Sequence, residues 1–181
     1  FERGRLYRQL MNALEDSTSR PAQGLEWRLK SAVDFVLGLA ACAVLSPVFF
    51  AIAIAIKLDS PGPVFYRQVR IGQGGKAFSV FKFRTMIVGA DRMGLGLNVA
   101  DGDSRITRAG AFLREWSLDE LPQLINVLLM QMSLIGPRPA LPEHVQQYDE
   151  VQRKRLWVKP GLTGLAQVSG RNLLSWNEKL A

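Results

Sequence analysis

Residues 35–56 form an uncharged, apolar segment that constrains the fold more than any other feature of this sequence. As an α-helix the segment would be about 33 Å long, which suffices to cross a hydrocarbon layer of about 30 Å. Length alone therefore predicts a transmembrane helix. Pro47 lies near the middle, where a proline leaves the carbonyl of Ala43 without its helical hydrogen bond and bends the helix. A kinked crossing is the simplest interpretation.

The charges on the two sides of this segment favour another topology. Positive charge lies on both flanks, which fits a helix that enters and leaves the membrane on one face. After the segment the basic residues are Lys57, Arg67, Arg70, Lys76, Lys82 and Arg84, with Asp59 as the acid among them. The Ser46 hydroxyl could donate to the carbonyl of Cys42, which would reduce the cost of a bend at Ser46 and Pro47 in lipid.

Two adjacent carboxylates, Asp119 and Glu120, stand where a helix is predicted to begin. A helix N-terminus has unpaired N–H groups and the positive end of the helix dipole, so it keeps a carboxylate ionised. An ionised carboxylate can attack phosphorus or bind a metal. Alternatively, Ser117 and Glu120 form a capping box, and Asp119 merely suits the dipole. A cap at Ser117 would put Pro122 at the fifth helical position, whereas a cap at Asp119 puts it in the first turn.

The residues after the acidic pair predict a buried helix and then a rigid turn. Apolar residues recur at helical spacing at Leu121, Leu124, Ile125, Leu128 and Met132. The turn Gly136-Pro137-Arg138-Pro139 follows, and its two prolines hold one guanidinium on a stiff backbone. A fork of donors on a rigid backbone suits phosphate recognition. A helix stop with one exposed arginine is the alternative interpretation.

Residues 64–71 and 77–84 predict the two strands of a β-hairpin around a glycine-rich turn. A phosphate-binding loop of the Walker A type would need Gly at Arg70 and Ser or Thr at Ala77, so a turn is favoured. On the second strand Lys82 and Arg84 share one face, which suits either a ligand or a solvated edge. Residues 87–102 are glycine-rich and unpatterned, which predicts a mobile loop over a site.

Further cations are predicted near the acidic pair and in the last part of the chain. Asp103-Ser104-Arg105 leads into a short helix over residues 110–116, which carries Arg114 close to the pair. Residues 142–157 predict one helix, with Val145, Tyr148 and Val151 on one side. The turn-rich segment over residues 159–172 ends in Arg171 and Asn172, whose donors suit a nucleotide. A structural loop is the competing account of that segment.

Length and composition limit the remaining choices. With 181 residues, the chain suffices for one domain and an appendage, and its net charge of +7 points to nucleic acid, nucleotides or an anionic membrane surface. The single cysteine, Cys42, excludes an intrachain disulfide, and the single histidine, His144, lacks partners for a zinc site.

Taken together, these motifs resemble the bacterial sugar transferase family, the monotopic phosphoglycosyl transferases that start glycan assembly on a polyprenyl phosphate. The resemblance covers roughly residues 28–178, and ordered motifs in such number are highly specific. The matching residues are Arg28, Lys30 and Asp34; Ser46-Pro47; Ser60-Pro61-Gly62-Pro63-Val64-Phe65; Phe81-Lys82-Phe83-Arg84-Thr85-Met86; Asp103-Ser104-Arg105-Ile106-Thr107; Ser117-Leu118-Asp119-Glu120-Leu121-Pro122-Gln123; Gly136-Pro137-Arg138-Pro139; and Pro160-Gly161-Leu162-Thr163-Gly164.

This resemblance implies an α+β, mainly helical fold. It has a re-entrant membrane helix broken at Ser46 and Pro47, amphipathic surface helices and a small β-hairpin. The implied domains are a lead-in segment (residues 1–27), the re-entrant helix (28–58) and a cytosolic catalytic domain (59–181). Members generally continue into further surface helices, and some carry an N-terminal multispanning region. We therefore expect the catalytic domain to lack its C-terminal end in this chain.

The implied reaction moves a sugar 1-phosphate from a UDP-sugar to undecaprenyl phosphate and releases UMP, at the cytoplasmic face of the bacterial inner membrane. Asp119 would be the nucleophile and an Mg²⁺ ligand, Glu120 its partner, and Arg138 a phosphate ligand. The weaker candidates for substrate contacts are Lys82, Arg84, Arg105, Arg114, Arg171 and Asn172. UDP-glucose or UDP-galactose is the first expectation for the donor. Membrane lipids are expected partners, nucleic acid is not, and a homodimer is left open.

A second hypothesis from another functional class is a membrane-tethered basic module that binds nucleic acid or anionic lipid without chemistry. The net charge and the tryptophans among the basic residues motivate it. Affinity of such a module should fall steeply with salt, and it would not need an aspartate beside a glutamate. Magnesium-dependent release of UMP from a UDP-sugar distinguishes the two hypotheses.

Overall fold

The computed structural model describes residues 24–93, 99–100 and 102–168, which form a mainly helical α+β fold with two small sheets. Its helices are α1 (Leu25–Asp59), α2 (Arg108–Glu115), α3 (Gln123–Leu128), α4 (Pro142–Val145), α5 (Glu150–Arg153) and α6 (Leu165–Val168). Its strands are β1 (Phe65–Ile71), β2 (Ala77–Phe83), β3 (Ser133–Ile135) and β4 (Gly161–Thr163). Most of the predicted lead-in segment, and the candidate residues Arg171 and Asn172, lie outside the described residues.

Helix α1 contains the whole predicted membrane segment and packs one face on the rest of the fold. Asp34, Gly38, Ile52 and Ile56 are buried, and their spacing places them on one helical stripe. The other faces expose large apolar side chains, which include Val36, Leu39, Val44, Phe50 and Leu58. Over its most apolar window the mean hydropathy is 2.6 and 11% of the residues are buried. By length and composition, α1 is therefore able to cross a membrane.

The helical backbone continues through Ser46 and Pro47, so the structure records no interruption of α1 at the predicted break. The Ser46 hydroxyl donates to the carbonyl of Ala43 at 2.8 Å, and not to that of Cys42 as the sequence suggested. Because proline has no N–H, Pro47 leaves this same carbonyl without a backbone donor. Ser46 therefore replaces part of the lost helical bonding, and a re-entrant bend stays a prediction.

The predicted hairpin is confirmed. Strands β1 and β2 pair in antiparallel register, with Phe65 opposite Phe83 and Ile71 opposite Ala77. The turn between them contains Gly74, whose φ of 66° lies in the left-handed region that glycine adopts without a steric penalty. On the inner face of β2, Phe83 packs with Ile52 and other apolar residues, so α1 and the hairpin share a core.

Helix α2 lies against the end of β2 and begins at Arg108, two residues before the predicted start. The Thr107 hydroxyl accepts a hydrogen bond from the N–H of Gly110 at 3.0 Å and caps the helix. Gly110 is required by close packing, because a Cβ there would lie 2.0 Å from the carbonyl oxygen of Thr85. On the outer side, Phe112 and Trp116 are exposed, as expected for an amphipathic helix at a surface.

Helix α3 is buried as predicted but shorter than its apolar pattern suggested. It ends at Leu128, and Met130 adopts a left-handed conformation with a φ of 60°. Met132 still reaches the core, where it packs with Val80 and Val127. The chain then enters β3, which pairs in parallel with β4; this second sheet was not predicted from the sequence.

The prediction of one helix over residues 142–157 was wrong, because α4 and α5 are separate. The Asp149 side chain accepts a hydrogen bond from the N–H of Gln152 at 2.7 Å, and the Gln152 side chain accepts from the N–H of Asp149. This capping box restarts the helix with Asp149 in an extended conformation. As a consequence Val145 and Tyr148 are buried, whereas Val151 is exposed.

Candidate active site

The acidic pair lies in a one-turn 3-10 helix, Leu118–Glu120, between α2 and α3. Neither capping interpretation of the sequence is correct. The Ser117 side chain does not cap this turn, and Ser117 has a φ of 58°. Pro122 immediately precedes α3, where its missing N–H costs no helical bond. Leu118 and Leu121 pack against the core cluster of Ile52 and Phe83, so apolar contacts on both sides of the pair hold the turn in place.

The Glu120 carboxylate accepts hydrogen bonds from two cations on other elements. Lys82 Nζ lies 2.8 Å from Glu120 Oε1, and Arg138 Nη2 lies 2.9 Å from the same oxygen. Arg138 Nη1 is 3.4 Å from Oε2, so the guanidinium donates hydrogen bonds to both oxygens of the carboxylate. Burial opposes ionisation of Glu120, but these two cations outweigh it and hold the pKa at about 2. Glu120 is therefore an anion that orders the two cations around it.

The Asp119 carboxylate has a different environment although it is the next residue. Burial raises its pKa above the ordinary value; Lys82 and Arg114 oppose that rise, and the neighbouring Glu120 adds to it. Within the described residues, no other side chain hydrogen-bonds to this carboxylate. The two carboxylates thus differ in environment: Glu120 is held by ion pairs, whereas no described side chain occupies the oxygens of Asp119.

Asp119 lines a cavity of about 230 Å³ together with Lys82, Arg114 and Arg84. Tyr66 and Gln68 of β1 contribute polar groups to the same cavity, and residues 87–91 with Val99 close one side of it. The described part of the glycine-rich loop therefore lines this cavity, whereas the mobility predicted for residues 87–102 stays a prediction. A mainly apolar cavity that contains a carboxylate and several cations is suited to a substrate that carries phosphate.

The buried guanidiniums of Arg84 and Arg105 contact loops. Arg84 donates to the carbonyls of Ser60 and Pro61, on the segment that follows α1. Arg105 forms a fork with the Asp103 carboxylate, with its Nη2 atom 2.6 Å from Oδ2. The same guanidinium donates to the carbonyls of Ala90 and Met93. These contacts give both residues a role in holding the cavity wall, and their predicted contacts with substrate stay predictions.

Arg114 and Arg138 hold the positions that the sequence suggested near the acidic pair. Arg114 Nε donates to the Thr85 hydroxyl at 2.8 Å and leaves the rest of its guanidinium at the cavity. Arg138 is half exposed on the proline-rich turn, where it contacts Glu120. Its expected contact with phosphate stays a prediction.

Arg70 belongs to this site but was not among the predicted site residues. Its Nη2 atom donates to the Gln68 side chain at 2.8 Å and its Nη1 atom to the Pro139 carbonyl at 3.3 Å. Burial and the nearby Arg138 lower the pKa of Arg70 to about 10, against the opposing effect of Glu120. Arg70 thus joins the cavity wall to the turn that carries Arg138. The alternation of Gln68 and Arg70 on one strand face was the available signal.

The side chains of this cavity could hold a magnesium ion only together with water and substrate phosphates. No group of three His, Cys, Asp or Glu side chains that could hold a metal occurs among the residues the structure describes. Mg²⁺, however, is often held by one or two carboxylates together with water and substrate phosphates. Among the described residues, no cation lies within hydrogen-bonding distance of the Asp119 carboxylate, so this carboxylate suits such a site.

This chain is similar to known proteins. It is 47% identical over 144 residues to a UDP-glucose:undecaprenyl-phosphate glucose-1-phosphate transferase from Xanthomonas campestris pv. campestris, covering 78% of this chain and 30% of that protein. A protein of the same name from Escherichia coli (strain K12) is 46% identical over 153 residues, covering 83% of this chain and 33% of that protein.

A third relative differs in the sugar that its name specifies. The UDP-N-acetylgalactosamine-undecaprenyl-phosphate N-acetylgalactosaminephosphotransferase from Aeromonas hydrophila is 42% identical over 143 residues, covering 77% of this chain and 34% of that protein. The chain thus spans about a third of the length of these relatives.

A match to a whole family covers more of the chain than any of these three pairwise matches. The sequence profile of the bacterial sugar transferases matches residues 25–181, which include α1, the hairpin, the acidic pair and the proline-rich turn. The chain therefore belongs to the bacterial sugar transferase family.

Proposed function

We propose that this chain is the catalytic part of a phosphoglycosyl transferase that moves hexose 1-phosphate from a UDP-hexose to undecaprenyl phosphate and releases UMP. The observation that carries the proposal is the separation of roles within the acidic pair: Asp119 faces the cavity, and Glu120 is ion-paired to Lys82 and Arg138. The names of the relatives support the reaction class. They do not favour a basic module without catalytic activity.

The first step uses Asp119 as a nucleophile. One carboxylate oxygen attacks the sugar-bearing phosphorus of the UDP-hexose, a bond forms between that oxygen and phosphorus, and the bond to UMP breaks. UMP leaves with the bonding electron pair, so no proton has to be transferred at Asp119. Lys82 and Arg114 lie at the cavity, where their positive charges would stabilise the phosphate oxygens. Glu120 keeps Lys82 in place through the 2.8 Å ion pair.

The second step restores the enzyme. An oxygen of undecaprenyl phosphate attacks the phosphorus of the aspartyl phosphosugar, and the bond to Asp119 breaks. The products of the two steps together are UMP and the undecaprenyl diphosphate hexose, and Asp119 is again a carboxylate. Mg²⁺ held by Asp119 would neutralise charge on the diphosphate. A covalent intermediate of this kind implies ping-pong kinetics.

The contacts of α1 support a catalytic face on one side of the membrane. Near one end of the apolar segment, Asp34 accepts hydrogen bonds from the Ser133 hydroxyl and the N–H of Leu134. At the other end, Asp59 accepts from the N–H of Ala109 at 2.9 Å. Both ends of the segment are therefore held by the same domain, as a re-entrant helix requires. The cytoplasmic face of the inner membrane is the side where UDP-sugars are expected.

The decisive experiment uses the purified chain, UDP-glucose and Mg²⁺ without an acceptor. We expect one equivalent of UMP, and a hexose phosphate on the Asp119 peptide after digestion in acid and mass spectrometry. Asp119→Asn should give neither product, whereas Glu115→Gln, an exposed control on the preceding helix, should give both. A panel of UDP-sugars then identifies the donor, with glucose or galactose expected first. An active Asp119→Asn variant, or UMP release that requires both substrates, would contradict the covalent mechanism.

A further inference from the structure

A second cavity, of about 200 Å³, lies away from Asp119 at the N-terminal part of α1. Trp27, Lys30, Ser31 and Asp34 form its wall on α1. Strand β3, the proline-rich turn and Lys159 form the opposite wall. None of the lining residues of this cavity lines the cavity of the acidic pair. The proposed transferase reaction therefore gives it no task.

The charges in this second cavity do not balance. Its single described carboxylate, Asp34, is already bonded to Lys30 at 3.0 Å, to the Ser133 hydroxyl at 2.7 Å and to the N–H of Leu134 at 3.2 Å. Lys159 Nζ donates to the Ser31 hydroxyl at 2.9 Å and is too far from Asp34 to form an ion pair. Two ammonium groups thus face one carboxylate that already accepts three hydrogen bonds, which leaves a net positive charge for a ligand to neutralise.

The environment of Lys159 suits an anionic ligand. Burial lowers the pKa of its ammonium group; Asp34 opposes this effect and Lys30 adds to it. An ammonium has three N–H donors, and a hydroxyl oxygen accepts one of them here. An anion in the cavity would accept the others and repay the desolvation of the charge.

The position of the cavity along α1 indicates where the anion comes from. Lys30 and Ser31 lie one turn before residue 35, where the uncharged segment begins, and Trp27 lies one turn earlier. Tryptophan and lysine are the residues that mark the headgroup level at the end of a membrane-inserted helix. If α1 enters the membrane as proposed above, the cavity opens among the lipid headgroups. The inference rests on that insertion.

We propose that this cavity binds the phosphate group of an anionic membrane lipid, held between the ammonium groups of Lys30 and Lys159. Bound lipid would fix the start of α1 against β3 and so set the height of the domain above the membrane. Phosphatidylglycerol is the probe that suits the site, because it carries one phosphodiester and no compensating cation. Phosphatidylcholine has the same phosphate, but its own choline group neutralises it.

The test measures lipid retained by the purified chain in detergent, by native mass spectrometry with added phosphatidylglycerol. Lys159→Met should weaken binding about fivefold, as expected for one lysine at a headgroup, and Lys159→Arg should keep it. Lys154→Met is the matched control, because Lys154 is exposed and its loss changes the net charge equally. It should leave retention unchanged. An equal effect of both methionine variants would overturn the proposal, since binding would then follow net charge.

A second variant keeps the test decisive if Lys159→Met does not fold. Ser31→Glu leaves both lysines in place and provides a carboxylate beside Lys159, so it should displace the lipid. Undiminished retention in this variant would contradict the site. Competition by inorganic phosphate at the same concentration as the lipid would show a free-phosphate site and overturn the lipid assignment. Asp119→Asn should retain lipid as the wild type does, which separates this result from failure of the proposed transferase.

Discussion

At the scale of single residues, the acidic pair shows how two adjacent carboxylates acquire different environments. Glu120 is paired with Lys82 and Arg138, and its pKa is held at about 2. Asp119 is desolvated, and its pKa is raised. The folded state therefore favours the ionised form of Glu120 and disfavours that of Asp119. Active sites often require two carboxyl groups with different pKa values. Here the difference in pKa results from ion pairs that only Glu120 makes.

This difference predicts stability changes of opposite sign. Glu120→Gln should lower the free energy of unfolding by about 1–3 kcal/mol, because it leaves two partly buried cations without their anion. Asp119→Asn should raise the melting temperature at neutral pH, because it removes a charge that the fold disfavours. Thermal unfolding in detergent without substrate measures both changes, with Glu115→Gln as the exposed control. A loss of stability in Asp119→Asn would contradict the assigned environment.

The Glu120 ion pairs also predict a pH dependence. A depressed pKa in the folded state means that the stabilisation is complete above the ordinary value of 4.5 and is lost as the pH falls toward about 2. Acid unfolding of the wild type should therefore include this loss, whereas Glu120→Gln should show a flatter profile over the same range. Parallel profiles for the two proteins would show that Glu120 does not titrate in this way.

Arg138 offers a second test at this scale. Its guanidinium reaches both oxygens of Glu120, and a lysine ammonium cannot reproduce two directed donors. Arg138→Ala should weaken the use of UDP-sugar, and Arg138→Lys should restore it only in part. Steady-state kinetics with varied donor measure the effect on kcat/KM. Wild-type kinetics in Arg138→Lys would show that activity does not need the two directed donors of the guanidinium. This holds whether those donors bind Glu120 alone or phosphate as well.

At the scale of elements, α1 unites two properties that rarely occur together. One stripe packs along the domain, and the rest of the helix exposes apolar side chains as lipid-facing helices do. Because residues near both of its ends contact the domain, the apolar segment should enter and leave through the same leaflet. If α1 bends in the membrane, Pro47 would be the cause of the bend, and the hydrogen bond from the Ser46 hydroxyl to the Ala43 carbonyl would reduce its cost.

This topology can be tested with single cysteines placed before and after the segment, at Leu25 and Lys76, in a Cys42→Ala background. Both positions are exposed and should react with a polar maleimide only after the cells are permeabilised. Val44→Cys, which is exposed in the middle of α1, should be shielded by lipid in both conditions. Labelling of either flank in intact cells would contradict the one-face topology. Pro47→Ala should favour a straight crossing, because the bend would lose its cause.

At the scale of the whole molecule, the charge and the apolar surface act together. The net charge of +7 favours anionic membranes and phosphate-bearing substrates, while α1 provides the apolar face. The cavity at Asp119 and the cavity at Lys159 have no lining residue in common and belong to one domain that is packed along α1. Lipid at the second cavity would therefore affect the position of the whole catalytic face and not the reactivity of Asp119 itself.

The sequence by itself determined the features that depend on neighbouring residues. The uninterrupted apolar run of α1, the glycine turn of the hairpin and the apolar spacing of α3 each depend on residues that are close together in the chain. The acidic pair, the stiff Gly-Pro-Arg-Pro turn and the family could therefore be recognised without coordinates. The break between α4 and α5 was also a local feature, a capping box at Asp149, but the apolar spacing around it concealed the signal.

Only the tertiary structure decided which charges meet. The Lys82 and Arg138 partners of Glu120 lie 38 and 18 residues away in the chain, and no local pattern specifies such a distance. Arg70 joined the site, and Arg84 and Arg105 contact loop carbonyls, for the same reason. The local sequence does not show whether a lysine or arginine on a strand is exposed or buried. What separates them is the desolvation of the charge and the carbonyl or carboxylate that compensates it, and both depend on how the elements pack.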